Sequence, residues 1–478
     1  MVKITICQPP RPDRVPLGGA HGPSPIGRRA ERSKQVTSRD SDATSDGLAA
    51  GSGYNHGMIP AQTTSLAVDD IKLAHQLFWA MPPGEREGAF ALLRAERPVS
   101  WHEEFEVPGV PLGPGFWAVT RFEDVFTVSR NAELFVSGQG TNISDLPIEL
   151  LEFFGSMINM DAPRHTKLRL LVNKGFTPRM IGRVEDMVRQ RAREIVDRVA
   201  PRGECDFVAE IAAALPLEII CDMIGVPPSD YRRIYELTNT ILGVGDPEFA
   251  TTIPELMSAG MELFQYAQAL GSERLATPRD DITSTLMHAE VDGQRLSEQE
   301  FGSFFILLVA AGNETTRNAI SHGMRALTDW PDQRRLWQGD FERYRASAVE
   351  EIVRWATPVI HFRRTATRDT VLGGQAIAAG QKVVMWYNSA NRDAAKFDDP
   401  YRFDIAREPN EHAAFGAGGP HFCLGANLAR REIAVIFEEI FRRLPDLEIS
   451  GPPDMLLSAF IHGIKRMPCR FTPQRPQV

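Results

Sequence analysis

A cysteine between glycine-rich stretches is the side chain of this sequence best placed to do chemistry. Cys423 follows the glycines of residues 416–419 and precedes Gly425, and a helix is predicted from residue 426 to residue 444. Glycine lets a backbone approach a flat ligand closely, and the start of a helix favours the thiolate over the thiol. His421 lies two residues before the cysteine, where it can reach a carboxylate of such a ligand. A buried structural cysteine in a turn is the alternative, but the loop favours a thiolate that binds a cofactor.

A second candidate interrupts a long apolar helix. Ser297 and Glu300 form a capping-box pattern that predicts where this helix begins, and the apolar pattern continues to His322 and on to Thr328. Residues 311–315 (Ala-Gly-Asn-Glu-Thr) place a glycine, an amide and an acid inside it. Buried polar groups are costly unless they are satisfied. A helix kink with a threonine bonded back to a carbonyl would explain the run structurally, and a functional groove would explain it chemically.

Charged side chains at helical spacing form a third group. His165 and Arg169 are four residues apart, on one face of a predicted helix. Glu351 and Arg354 are three apart, a spacing typical of an exposed ion pair. Arg364 follows that second helix. Each of these charges, taken singly, is typical of a solvated surface.

The cysteine loop resembles the haem-binding loop of the cytochrome P-450 superfamily. That loop commonly has Phe, a glycine-rich turn, His or Arg two residues before the Cys, and Gly two residues after it. Phe415 lies eight residues before Cys423, where seven is the common spacing, and the extra residue falls within 416–419. This departure bears on how Phe415 packs beneath the haem and leaves the ligand as it is. The resemblance implies haem b with Cys423 as the metal ligand, whose thiolate favours O–O cleavage.

The resemblance also assigns roles to the other candidates. It implies that Thr315 hydrogen-bonds dioxygen and that Glu314 relays protons from water. It makes Glu351 and Arg354 a buried structural pair, completed by a third arginine, for which Arg402 and Arg407 are both candidates. The haem-contacting residues that it implies are Cys423, His421, His165, Arg169, Arg364, Phe415, Gly425 and Ala311.

Over residues 66–475 the chain resembles, more narrowly, the mycobacterial ω-hydroxylases of methyl-branched lipids. The resemblance lies in residues 152–158, 310–320 and 460–465, and the longer cysteine loop also occurs in that subgroup and in cholesterol side-chain oxidases. It implies hydroxylation at the terminal carbon of a methyl-branched fatty acid, isoprenoid or related lipid. The apolar residues expected to line the substrate pocket are Phe153, Phe154, Val309, Ala310, Ala311, Val359, Ile360 and Phe460.

Three other functions stay open. A steroid (cholestenone) side-chain hydroxylase would use the same site. A peroxygenase would need no proton relay, so the pair Glu314 and Thr315 argues against it. A haem protein that only senses or carries a ligand would not need the pair either. Since the sequence has no flavin or iron–sulfur motif, the family implies ferredoxin and ferredoxin reductase as electron donors; Arg430 and Arg431 could face an acidic ferredoxin or simply form a solvated surface.

The elements that must hold these residues are mainly helical. Helix 215–225 ends at a glycine followed by two prolines, and strands are expected at 117–120, 382–387 and 469–472. The sequence therefore predicts a mainly α fold, with one large helical domain (65–478) and small peripheral β-sheets. Residues 1–64, rich in Pro, Gly, Ser and Arg, are expected to form a disordered N-terminal extension, and Met58 is a possible native start.

Composition excludes several classes of protein. The 478 residues carry a net charge of -9, which argues against a nucleic-acid partner. No apolar run reaches the ~18 residues needed to span a bilayer. The five cysteines include no CxxC, which is typical of reduced intracellular thiols. A cytoplasmic protein is expected.

Overall fold

Helices make up most of the structure, a computed structural model that describes residues 63–475 apart from 107–110, 174–177, 244, 250–251 and 292. The predicted extension therefore lies, up to residue 62, outside the described residues. The α-helices are α1 Gln76–Ala80, α2 Pro83–Glu96, α3 Phe122–Arg130, α4 Ile148–Gly155, α5 Arg164–Asn173, α6 Pro178–Val199, α7 Ala214–Ile224, α8 Tyr231–Leu242, α9 Ile253–Ala276, α10 Ile282–His288, α11 Glu298–Asp329, α12 Pro331–Gly339, α13 Phe341–Ala356, α14 Tyr387–Ala390 and α15 Ala426–Arg443.

The strands of the described residues are short and form four small sheets. They are β1 Val99–His102, β2 Phe116–Val119, β3 Phe135–Val136, β4 Glu204–Asp206, β5 His361–Ala366, β6 Thr370–Leu372, β7 Gln375–Ile377, β8 Lys382–Trp386, β9 Glu448–Ile449, β10 Asp454–Met455, β11 Ile464–Arg466 and β12 Pro468–Arg470. The largest sheet has the order β1-β2-β8-β5-β3, and in it only β2 and β8 are parallel. The other sheets are β4-β12-β9, β6-β7 and β10-β11. The prediction of a mainly α fold with small sheets is confirmed.

The long apolar helix is the central element of the helical core. α11 begins at the predicted capping box, in which the Ser297 hydroxyl accepts from the Glu300 N–H and the Glu300 carboxylate accepts from the Ser297 N–H. It packs against α7, α9 and α13, and side chains on every side of it are buried. A helix that is apolar nearly all round is stable only in such an interior position. Among the described residues, no helix has the length and apolar character needed to cross a membrane.

Two smaller apolar clusters flank the five-stranded sheet. One contains Phe122, Phe135 and Phe397, and the other contains Phe90 and Trp386. Burial on both faces fixes β5 and β8, so the sheet is a rigid wall beside the helical core. Residues of this wall, of α11, of the cysteine loop and of the start of α15 line one cavity.

Candidate functional site

The cysteine loop owes its shape to glycines that no other residue could replace. Gly416, Gly418 and Gly419 have φ angles of +91°, +78° and +79°, in the left-handed region that favours glycine. A Cβ on Gly419 would lie 2.3 Å from the carbonyl oxygen of Ser129, on α3. The loop then turns back, and the Cys423 N–H donates to the Phe415 carbonyl at 2.9 Å. The loop therefore holds the cysteine and the phenylalanine in a fixed relation, despite its one extra residue.

The Cys423 side chain faces a cavity. Burial raises the pKa of its thiol, whereas hydrogen bonds from the N–H groups of Gly425 and Ala426, together with the charge of Arg169, act in the opposite direction. Those two N–H groups belong to the first turn of α15, where the helix dipole favours negative charge. The arrangement suits a thiolate whose charge is shared with a bound cation or metal.

The opposite wall of the same cavity is α11. Ala311, Gly312 and Thr315 line it together with Cys423, Phe415 and Gly425. The Thr315 hydroxyl donates to the Ala311 carbonyl at 2.8 Å, one turn back along the helix. The structural explanation offered by the sequence, a threonine bonded back to a carbonyl, is thus present, on the face that also borders the cavity.

Four basic side chains meet at one edge of the cavity. His165 and Arg169 come from α5, Arg364 comes from β5, and His421 comes from the cysteine loop. The rings of His165 and His421 lie 4.2 Å apart, centre to centre. The Arg364 guanidinium is buried and donates to the backbone carbonyl of Arg363, and no carboxylate pairs with it among the described residues. The Nε2 atom of buried His165 likewise has no partner there.

These four groups repel one another. Burial, followed by the charge of Arg364, lowers the pKa of His421 to about 2. Burial and the charge of Arg169 also lower the pKa of His165. Such a cluster is costly unless anions balance it. A flat cofactor with two carboxylates, held over a cysteine, satisfies this cluster, so the residues present fit haem.

Glu314 lies away from the cavity. It is 4% exposed, and it accepts a hydrogen bond from Arg317, one turn further along α11. It does not line the cavity, whereas Thr315 does. The structure thus brings Thr315 to the cysteine and holds the neighbouring carboxylate on a different side of the helix.

The pair Glu351 and Arg354 is buried, as the resemblance implied. Both side chains are 0% exposed, and the Arg354 Nε donates to Glu351 at 2.7 Å. The third arginine is Arg407, whose Nε lies 3.2 Å from Glu351 Oε2. Arg402 contributes only its backbone carbonyl, which accepts from Arg354 and Arg407. Glu351 and Arg354 therefore do not form an exposed surface ion pair.

Most of the residues predicted for the substrate pocket do not line this cavity. Of the eight apolar residues, only Ala311 and Val359 line the cavity. Phe153 and Phe154 pack against Gly260 of α9, because that glycine leaves room for their rings. Ile360 joins the Trp386 cluster. The remaining three also lie elsewhere: Val309 and Ala310 are buried on other sides of α11, and Phe460 stacks edge-on against His361 and Phe362.

Other apolar residues form the cavity wall. They are Met157, Ile158, Ile220, Phe304, Leu307, Leu308, Pro358 and Phe362. Leu307 and Leu308 lie one helical turn before Ala311, on the same face of α11. The helical period of the sequence could therefore have predicted that they line the cavity. Met157 and Ile158 follow α4 in a short turn, whose direction no sequence period specifies.

Glu432 was not found by sequence reasoning. It lies on α15, borders the cavity and is hydrogen-bonded to the Thr316 side chain. Burial raises the pKa of this carboxyl to about 8. In the sequence it follows Arg430 and Arg431 and therefore resembles one more charge on an exposed helix face. Those arginines form ion pairs with Glu350 and Glu185 in the structure.

Known proteins resemble this chain over most of its length. A family model described as cytochrome P-450 matches residues 343–456. The methyl-branched lipid omega-hydroxylase of Mycobacterium tuberculosis is 52% identical over 408 residues, which cover 85% of this chain and 95% of that protein. The steroid C26-monooxygenase of Rhodococcus jostii is 46% identical over 383 residues, covering 79% and 80%.

A solved structure has the same fold. It is a cytochrome P-450 of Mycobacterium marinum, CYP268A2, in complex with pseudoionone. The TM-score is 0.79 with 46% sequence identity, and the match covers 86% of this chain and all of that one.

Proposed function

The chain belongs to the cytochrome P-450 family and is a haem-b-dependent monooxygenase, and we propose that it hydroxylates a methyl-branched lipid at a chain end. One observation carries the choice of substrate: the cavity between Cys423 and Thr315 is lined mostly by apolar side chains. Its basic groups cluster at one edge, where the cofactor carboxylates account for them. A lipid chain is therefore the substrate class that this wall can bury favourably.

The residues of the cavity would hold haem in a definite way. Cys423 would ligate the iron, and His165, Arg169, Arg364 and His421 would bind the two carboxylates. When bound, thiolate-ligated haem supplies the activation of dioxygen for insertion of one oxygen atom into a C–H bond. The first turn of α15 would moderate the charge of the sulfur through its N–H groups.

Residues of α11 would supply the protons that the reaction needs. Thr315 and Thr316 of this helix both border the cavity, and Thr316 is hydrogen-bonded to Glu432. The Thr315 hydroxyl can turn from the Ala311 carbonyl towards dioxygen. Glu314, the preceding residue, would pass protons to it after turning from Arg317. A peroxygenase or a ligand carrier would need neither group, so this pair favours monooxygenation.

Hydroxylation at the chain end requires a pocket whose shape counteracts the intrinsic reactivity of the substrate's C–H bonds. A terminal C–H bond is stronger than its neighbours, so the wall must keep the easier positions away from the reacting centre. A sterol C26 is itself a methyl carbon at the branched end of a side chain. The steroid C26-monooxygenases among the relatives therefore favour a second candidate, hydroxylation of a steroid side chain such as that of cholestenone.

Electrons would come from a ferredoxin and its reductase. Arg430 and Arg431 follow the cysteine loop on α15 and are about one-third exposed, so an acidic partner could contact them. We place the enzyme in the cytoplasm, where thiols such as Cys205, Cys221 and Cys469, all free in the structure, stay reduced.

Four ligands test the substrate class. They are a fatty acid ending in an isopropyl group, a straight chain of equal main-chain length, cholestenone, and a steroid without a side chain. Binding is measured by the spectral shift of the haem, and products are identified by mass spectrometry. An unfilled methyl-sized space costs about 1 kcal/mol, so the branched acid should bind roughly fivefold more tightly than the straight one. It should give mainly the terminal alcohol.

The outcome also separates the two candidates. Tighter binding of cholestenone than of the branched acid would favour the steroid side-chain reaction. Tight binding of the steroid without a side chain, or hydroxylation chiefly at the tertiary carbon, would refute chain-end selection.

A pair of variants tests the wall itself. Leu308→Ala removes a side chain that borders the cavity, and oxidation should then spread to carbons inside the chain end. Val309→Ala is the matched control, since Val309 is buried away from the cavity, and its product distribution should equal that of the wild type. Equal distributions in both variants would contradict the assignment of Leu308 to the substrate wall.

A further inference from the structure

Two cysteines that do not line the cavity lie opposite each other on neighbouring strands. Cys205 is on β4 and Cys469 is on β12, and the two are direct partners in the antiparallel register of these strands. Their Sγ atoms are 3.4 Å apart, although 264 positions separate them in the sequence. Both thiols are free. The function proposed above uses neither of them.

The backbone holds the two cysteines at a separation that a disulfide can bridge. On one side of the pair the Phe207 N–H donates to the Met467 carbonyl at 2.9 Å. On the other side the Phe471 N–H donates to the Gly203 carbonyl at 2.8 Å. Directly opposed residues of such a ladder have Cα atoms about 4.5–5.5 Å apart, and a disulfide spans roughly 4.4–6.8 Å between Cα atoms. Rotation of the two side chains is therefore enough to bring the sulfurs to bonding distance.

The two thiols differ in exposure. Cys469 is 1% exposed, whereas Cys205 is only partly buried and is therefore the one that a small solute can reach. The hydrogen bond with Cys469, followed by burial, raises the pKa of the Cys205 thiol, and the charge of Arg202 acts in the opposite direction. Since the thiolate is the reactive form, the pair should stay reduced at rest and react more slowly than a catalytic thiol.

We propose that Cys205 and Cys469 form a reversible oxidation site, at which a peroxide converts the two thiols into a disulfide. The Cys205 sulfur attacks one oxygen of hydrogen peroxide, the O–O bond breaks, and a sulfenic acid and one water form. The Cys469 sulfur then attacks the Cys205 sulfur. The S–S bond forms as the S–O bond breaks, and the leaving hydroxide takes the Cys469 proton to become a second water. Two electrons thus pass from two thiols to one peroxide, and a thiol reductant reverses the oxidation.

The disulfide would tie the C-terminal strand to the part of the chain that leads into a cavity wall. β4 is followed by a short π-helix, Val208–Ala212, and then by α7, whose Ile220 lines the cavity. The closed loop would contain α7 to α15 and the cysteine loop. A cross-link between residues so distant in sequence restricts the unfolded chain far more than the folded one. The oxidised enzyme should therefore resist unfolding better than the reduced enzyme.

Peptide mapping of the full-length, haem-loaded enzyme tests the site without any measurement of turnover. The enzyme is reduced, separated from the reductant, treated with hydrogen peroxide, unfolded and alkylated, and its unreduced peptides are identified by mass spectrometry. We expect two peptides joined through Cys205 and Cys469, and loss of these two thiols from alkylation. The urea midpoint should be higher after oxidation. Dithiothreitol should restore both thiols and the lower midpoint.

Three variants and a second oxidant serve as controls. Cys205→Ser removes one sulfur, so it should show neither the joined peptides nor the reversible rise in urea midpoint. Cys221→Ala removes a buried thiol of α7, and Cys7→Ser removes a thiol outside the described residues. Both should still form the joined peptides. Glutathione disulfide reaches the same product by thiol–disulfide exchange, so it decides the matter if peroxide destroys the haem.

Two cysteines that serve only as small apolar packing groups would give different results. The proposal is overturned if neither oxidant joins Cys205 to Cys469 while the protein stays folded. It is equally overturned if Cys205 stops at a sulfur acid, keeps a bound glutathione, or pairs with another cysteine. An unchanged urea midpoint in the joined protein would also count against it. None of these outcomes depends on the substrate or on the proton relay of the proposed function.

Discussion

Arg364 allows a prediction in which cofactor binding and protein stability change in opposite directions. Its buried guanidinium lies among His165, Arg169 and His421, without a carboxylate partner among the described residues. Burial lowers the pKa of Arg364, because surroundings of low polarity disfavour its charge. Arg364→Met replaces it with an apolar side chain of similar length. The haem-free protein should therefore become more stable, and haem should be held less tightly.

The magnitudes follow from the two environments. A hydrogen bond to a charged group contributes roughly 1.5–3 kcal/mol, and a change of this size corresponds to about a tenfold to hundredfold faster loss of haem. In the haem-free protein the same substitution removes a buried charge whose desolvation costs up to several kcal/mol. The gain there should be a measurable rise in the urea midpoint.

The neighbouring arginine provides the control. Arg363 is equally buried, but it pairs with Asp145 at 2.6 Å and donates to the carbonyl of Gln139 at 2.7 Å. Arg363→Met should therefore destabilise the haem-free and the haem-loaded protein alike. Haem loss is measured by transfer to an excess of apomyoglobin, and stability is measured by urea unfolding. If Arg364→Met weakened the haem-free protein as much as Arg363→Met, the argument for an anion-binding cluster would be refuted.

Three other residues give shorter predictions. Glu351→Ala leaves Arg354 buried without its carboxylate and should cost roughly 3–5 kcal/mol in urea unfolding, whereas Glu350→Ala, at a partly exposed position, should cost far less; equal losses would contradict the buried pair. Glu432 keeps a proton in the folded chain up to its pKa of about 8, whereas the unfolded chain releases it near 4.5, so this acid destabilises the fold increasingly between those pH values. Urea midpoints of Glu432→Gln should exceed those of the wild type by a margin that grows across that window, and parallel pH curves would count against it. A chain beginning at Met58 should fold, bind haem and turn over normally, and loss of haem from it would mean that the removed residues stabilise the body.

Much of the fold and the shape of the cysteine loop could be predicted because each depends on local patterns. The capping box at Ser297 set the start of α11, and the glycine at 225 ended α7, where its φ is +80°. The glycines around Cys423 specified a turn that only glycine can form. Such signals lie within a few residues of what they determine, so tertiary packing did not alter them.

The substrate wall could not be predicted because it depends on how distant elements pack. Phe153 and Phe154 are as apolar as a pocket residue should be, yet Gly260, more than one hundred residues away, gives them a place against α9. Glu432 was missed for the opposite reason: its neighbours in sequence are exposed charges, and only the packing of α15 on α11 buries it. Residue type alone cannot distinguish an apolar side chain packed in the core from one that lines a cavity.

One part of that wall was nevertheless within reach of the sequence. Side chains alternate across a strand, so residues two apart on β5 share a face. Arg364 faces the cavity, and therefore Phe362 must face it too, while Arg363 between them turns to the loop at Gln139. Assigning a single propionate partner on this strand thus assigns a substrate-wall residue as well. Phe362 and Arg364 share one strand, so a shift of β5 that widened the proposed substrate space would also move a proposed partner of the haem carboxylates. On the proposed function, changes of specificity are therefore more easily made at Leu307 and Leu308 on α11.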